Sequence, residues 1–192
     1  FSDASLQAYG ACTYVRCINK YGKIHTQLLI SKCKVAPLKQ NTVPRLELQA
    51  AVIAAKLDAM LKRELGIVID QTYFWSDSQI TLSYIKNVTR RFHIFVGNRV
   101  SIIRQLTDPD RWYHVRSSDN PADILTRSNS FSTNPLGDAW FNGPSWLRLY
   151  KSDWQTGNQH DCLHRGPGSK IMQHSRQRVG QPRIKNLRAF FT

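Results

Sequence analysis

The 192-residue chain has no apolar run near the ~20 residues of a membrane-spanning helix, so nothing in it reads as a bilayer element. Acids are scarce: 13 Asp and Glu stand against 27 Lys and Arg, and the only glutamates are Glu47 and Glu64. Cysteine is sparse too. Cys12, Cys17, Cys33 and Cys162 make no Cys-x-x-Cys pair and no framework spacing, which argues against a disulfide-stapled module and predicts reduced, intracellular thiols. There are no internal repeats. An initiator Met and a signal-peptide pattern are also missing, so the opening Phe1-Ser2-Asp3 predicts a fragment or a processed product that is not secreted.

What is present is positive charge. The formal net charge of +14 divides evenly: residues 1–147 hold 18 basic against 11 acidic side chains, and residues 148–192 hold 9 against 2. A basic surface of this size points to a polyanion, most simply nucleic acid.

Thr72-Tyr-Phe-Trp-Ser76 is β-branched, aromatic or small without alternation, the pattern of a short strand buried on both faces. Asp77 follows at its carboxyl end, where ligands gather in open α/β sheets, and Ser78 can cap the helix that Ile80, Leu82, Tyr84 and Ile85 continue. Upstream, Phe1–Ser5, Ala8–Ile18 and Lys23–Val35 predict a three-stranded meander around Asn19-Lys-Tyr-Gly22. Thr42-Val-Pro44 announces a helix from Arg45 to Leu65, with Gly66 at its end. Its apolar stripe is Leu46, Ala50, Ile53, Ala54, Leu57, Met60, Leu61 and Leu65. Glu47 lies near that buried face. Asp58 lies on the same helix three turns along, and its change to Asn is expected to be near neutral for cleavage. Residues 87–106 predict a basic, mostly helical segment with Arg90, Arg91, Arg99 and Arg104 on one side. Arg111–Arg116 reads as a fifth strand and Pro121–Arg127 as a short helix capped by Asn120, with Asp123 in its first turn. The aromatic run Trp140–Leu147 is expected to pack on the domain. After Trp154 the chain loses periodicity and predicts disorder. His160, Cys162, His164 and His174 in that tail lack the spacing of a zinc site.

The element order is therefore β-β-β-α-β-α-α-β-α, with Asp3 on the first strand, Glu47 on the first helix, Asp77 after the fourth strand and Asp123 on the last helix. Four acids converging on one sheet edge repel each other unless a cation compensates them, and carboxylate oxygens suit Mg²⁺ or Mn²⁺. Two such ions clamp the attacking and leaving oxygens of a phosphoryl displacement.

Asp3-Ala-Ser5, Arg45-Leu-Glu47-Leu-Gln-Ala-Ala51, Ser76-Asp77-Ser78 and Asn120-Pro-Ala-Asp123-Ile-Leu-Thr-Arg127 resemble the four motifs of ribonuclease H. Lys34-Val-Ala-Pro-Leu-Lys39, Thr42-Val-Pro-Arg-Leu-Glu-Leu48 and Phe141-Asn-Gly-Pro-Ser-Trp-Leu147 are similar to the RNase H-like region of BEL/Pao-type LTR retrotransposon pol polyproteins. The resemblance covers residues 1 to about 154. It implies an α/β RNase H-like fold: a mixed five-stranded sheet with helices on both faces, plus a disordered basic C-terminal tail. The expected organisation is a catalytic domain over residues 1–128, an aromatic extension over 129–154 and the tail over 155–192.

The resemblance also implies chemistry: two Mg²⁺ or Mn²⁺ ions, with Asp3 bridging them, Glu47 and Asp77 completing one site and Asp123 helping hold the other. The implied substrate is the RNA strand of an RNA–DNA hybrid. The implied partners are reverse transcriptase and other parts of the same polyprotein, in a cytoplasmic particle or the nucleus and without a membrane. Arg45, Arg90, Arg91, Arg99 and Arg127 are the candidate nucleic-acid contacts. Two departures stand out. The loop Arg116-Ser-Ser-Asp-Asn120 has no His where cellular relatives carry one, and Val43-Pro44 replaces their substrate-contacting Asn pair. The rival reading is a catalytically inactive, transposon-derived fragment that only binds nucleic acid. An integrase core on the same fold is a poorer one, because its final carboxylate is a Glu on a late helix.

Overall fold

The computed structural model describes residues 1–38, 42–89, 91–127 and 137–154. β1 (Ser2–Ala4), β2 (Ala8–Ile18) and β3 (Ile24–Val35) form the antiparallel half of the sheet. Asn19 shapes the β2–β3 turn: its side-chain oxygen accepts from the amides of Tyr21 and Lys23, and Gly22 takes the positive φ of 79° that the turn requires. β4 (Phe74–Ser76) and β5 (Trp112–His114) add parallel to β1, giving the order β3-β2-β1-β4-β5. This is a mixed five-stranded sheet with β1 at its centre. β5 is shorter than the expected Arg111–Arg116, because a 3-10 turn over Pro109–Arg111 precedes it and the chain leaves the ladder after His114.

Alternation along β4 divides the core in two. Phe74 points to one face and stacks on Trp112 at 4.6 Å; Trp75 points to the other and stacks on Phe1 at 4.9 Å. α1 (Val43–Glu64), α2 (Gln79–Lys86) and α3 (Ile94–Leu106) cover the Phe74 face. α1 buries more than one stripe: Leu48, Ala51 and Ala55 join Leu46, Ala50, Ile53, Ala54, Leu57 and Leu61, because the helix packs on the sheet and on α3 at once. Asp58 is buried as well. It accepts from Thr72 Oγ1 at 2.9 Å and pairs with Lys62 at 2.7 Å, tying the helix to the approach to β4. That tie is structural and leaves the expectation for cleavage as it stands.

The other face is covered by short elements. The short helix expected to start at Pro121 is a 3-10 helix over Pro121–Leu125. Asp123 N bonds to Asn120 O and Thr126 N to Asp123 O, both at the tighter three-residue spacing. Trp140 on α4 (Asp138–Asn142), with Trp146, Leu147 and Trp154, joins Phe1, Cys12 and Trp75 in the second core. β2 reaches out to this segment: Tyr14 Oη donates to Trp140 O, and Arg16 donates to the carbonyls of Leu147 and Leu149. Gly143 is required there, at φ 73° with a Cβ position only 2.9 Å from Leu147 Cδ1. Cys12, Cys17 and Cys33 are free thiols. Among the described residues no helix is long and apolar enough to cross a membrane. Residues 155–192, where a disordered tail was expected, lie outside the described residues, as do Lys39 and Arg90.

Candidate active site

Ser2 and Ser76 are register partners on neighbouring parallel strands, so the next residue of each strand, Asp3 and Asp77, leaves the same edge of the sheet. Asp3 is 6% exposed, with Gly10 of β2 directly opposite. Gly10 lets β2 run close to β3, since a Cβ there would lie 2.6 Å from Lys32 O. Glu47 enters from the first turns of α1, half-buried between Leu46 and Leu48. Asp123 comes from the 3-10 helix after β5.

Each acid is held by a neighbouring element. Ser78 Oγ caps α2 by accepting from Thr81 N and donates to Glu47 Oε2. Asn120 Nδ2 donates to Ser2 O at 3.1 Å and stands 3.5 Å from Asp77 Oδ1, while its side-chain oxygen caps the 3-10 helix at Ala122 N. Thr126 Oγ1 donates to Asp3 Oδ2. Arg127 pairs with Asp123 at 2.7 Å.

The electrostatics show the acids gathered around Asp77. Burial pushes Asp3 up to about 6; the Thr126 hydrogen bond opposes the rise, and the charges of Asp77 and Asp123 add to it. Burial also raises Glu47, with Ser78 opposing and Asp77 adding. Asp123 is raised by burial, held back by Arg127 and pushed further by Asp77. Asp77 thus acts on all three. The four side chains do not already form a cage: among the described residues no three His, Cys, Asp or Glu side chains are placed to hold a metal ion.

The basic candidates fall into two groups. Arg45 and Arg99 flank one ring, their guanidinium carbons 5.0 Å and 3.4 Å from the Phe95 centroid, and Arg99 donates to Phe95 O at 3.0 Å. Among the described residues neither pairs with an acid, nor does the exposed Arg91. Arg127 belongs instead to the acid cluster through Asp123. Arg90 lies outside the described residues. Arg99 also lines a groove of about 440 Å³ between α1, α3 and the β2–β3 edge, where Lys32, Lys34 and Lys56 line the same cavity and no acid does. Sequence reading did not single out those lysines. It saw Asn120 and Ser78 only as helix caps and gave Thr126 no role.

The central strand β1 has an antiparallel neighbour on one side and a parallel one on the other, with acids on β1, α1, the end of β4 and the turn after β5. Residues 1–78 match the family model of the Pao retrotransposon-like RNaseH-like domain. The matched stretch contains Asp3, Glu47, Asp77 and Ser78; Asp123 and Thr126 lie beyond it. No curated protein and no solved structure matches the chain.

Proposed function

We propose that this domain hydrolyses the RNA strand of RNA–DNA hybrids with divalent cations, as one part of a retrotransposon polyprotein. The observation that carries the reading is Asp77, set beside Asp3 on adjacent parallel strands and in electrostatic contact with Asp3, Glu47 and Asp123. The donor set suits hard cations. All four groups are carboxylates, and burial with mutual repulsion raises three of them, a cost that a divalent ion relieves.

Asp3, Glu47, Asp77 and Asp123 would hold two Mg²⁺ or Mn²⁺ ions, competing with Ser78 for Glu47 and with Arg127 for Asp123. Ions of this kind lower the pKa of an attacking water and stabilise the leaving oxygen. The chain's own groups bind and orient. Arg45 and Arg99, braced on Phe95, offer guanidinium donors to phosphates two residues from Glu47 and on the facing helix. Arg91 and the lysines of the groove extend the same field. The 2′-OH marks the strand to be cut. Reverse transcriptase and the rest of the polyprotein are the proposed partners, in an intracellular setting.

A second reading, a domain that binds nucleic acid without turnover, is favoured by the Arg127–Asp123 ion pair and by the missing His in the 116–120 loop. A labelled RNA–DNA hybrid, duplex RNA and duplex DNA, each incubated with Mg²⁺ or EDTA, separate the two. The proposal expects Mg²⁺-dependent cuts in the RNA of the hybrid alone; binding to all three with no cuts would establish the second.

A further inference from the structure

Thr126 is 2% exposed and sits three residues after Asp123 on the same 3-10 turn. Its amide returns to Asp123 O, its carbonyl accepts from Ser5 Oγ at 2.7 Å, and its hydroxyl donates to Asp3 Oδ2 across 123 positions of sequence. Thr126 is thus fastened on both sides of the acid cluster, to the turn that presents Asp123 and to the strand that presents Asp3. Cys33 Sγ, 3.2 Å from Leu125 O, ties the same turn to β3. The second core reaches this turn through Ala122, Ile124 and Leu125, and the Thr126 hydroxyl also lies 3.2 Å from Asp123 O, so its one proton is shared between its own turn and Asp3. Asp3 Oδ2 is anchored by Thr126, and the backbone of Ala4 also hydrogen-bonds this carboxylate, so Asp3 is held from two directions.

We propose that Thr126 is a positioning residue for divalent-ion binding: it fixes Asp3 and sets its separation from Asp123. The inference rests on the metal-dependent reading of the acids. A group that orients a ligand in this way typically changes metal affinity 10–100-fold when removed.

The test is Mn²⁺ binding to the full chain, followed by titration calorimetry and by the electron paramagnetic resonance of free Mn²⁺. Thr126→Val keeps the shape and loses the donor; Thr126→Ser keeps the donor. The expected result is Mn²⁺ binding about 10-fold or more weaker in Thr126→Val and close to wild type in Thr126→Ser. Equal Mn²⁺ affinity in wild type and Thr126→Val, or a Ser variant as weak as the Val variant, overturns the role of Thr126 and leaves the metal reading standing. A wild type that binds no Mn²⁺ overturns both. Should Thr126→Val fail to fold, the same change made in Asp3→Asn supplies the answer. Melting should recover there, because no buried charge is left without its donor; an undiminished loss overturns the proposal.

Discussion

Replacing Asp3 with Asn should stabilise the metal-free protein, an unusual outcome for a change at a buried position on the central strand. Burial raises the Asp3 carboxyl from 3.8 to about 6, and Asp77 and Asp123 contribute. At about 1.4 kcal/mol for each tenfold change, holding that group ionised in the fold above pH 7 costs roughly 3 kcal/mol. The sign follows from proton binding. The folded state takes up a proton more readily than the unfolded chain, so this stability is full below about pH 3.8, declines as pH rises through 6 and stays lost beyond. Asn keeps an oxygen for Thr126 and has no charge to desolvate. Allowing for imperfect fit, the gain should be on the order of 2 kcal/mol at pH 7.5, or roughly 5 °C in Tm for a unit of this size. The assay is thermal melting in EDTA from pH 4 to pH 8, read as the difference between variant and wild type so that other titrating groups cancel. That difference should be small at pH 4 and grow through pH 6. A difference that does not change with pH, or a variant that melts below wild type at pH 7.5, would refute the electrostatic account of the cluster.

Other perturbations probe the frame and the basic face. Asp58→Ala strands Thr72 and removes the Lys62 pair, so it should destabilise by about 1–3 kcal/mol in denaturant titration without touching the acid site. Gly10→Ala drives a Cβ to 2.6 Å from Lys32 O and should cost about 1–3 kcal/mol by the same measurement; a neutral result would mean the β2–β3 approach is soft. Arg99→Gln and Lys56→Gln should each lower the log–log salt slope of duplex binding by about 0.9 for every phosphate the side chain neutralises. Cleavage at saturating hybrid should change little with Lys56→Gln, and an unchanged slope for both would remove the groove from the binding surface.

The periodicities that were legible in the chain are the ones whose causes are local. Phe74 and Trp75 face opposite cores because both sides of β4 are covered, and a run of β-branched, aromatic and small residues without alternation says so. Glu47 stood out as an acid one turn before Ala51 and two before Ala54, close to the buried face, where an unpaired charge is costly. Asp58 sits on the same helix, and its structural tie could not be read from the sequence, because its partner is Thr72, across a loop with no pattern of its own. The grips on the acids were hidden for the same cause: Thr126 with Asp3, and Asn120 with Ser2 and Asp77, join residues more than 40 apart, and nothing in either segment announces the pairing. The 3-10 form of residues 121–125 was likewise out of reach, since an Asn cap and a following Pro begin an α-helix equally well.

The central claim is that Asp77 and the three carboxylates around it serve a cation-dependent cut, and Asp77→Asn tests it most directly. The substitution keeps the size of the side chain and its place beside Asn120 while removing the charge that the other three acids share. Hybrid binding in EDTA and cleavage in Mg²⁺ should be measured on the same preparations. The account predicts binding equal to or tighter than wild type, since a carboxylate that repels phosphate is gone, together with cleavage reduced at least 100-fold, or about 2.7 kcal/mol of barrier. Cleavage by Asp77→Asn at the wild-type rate would contradict it.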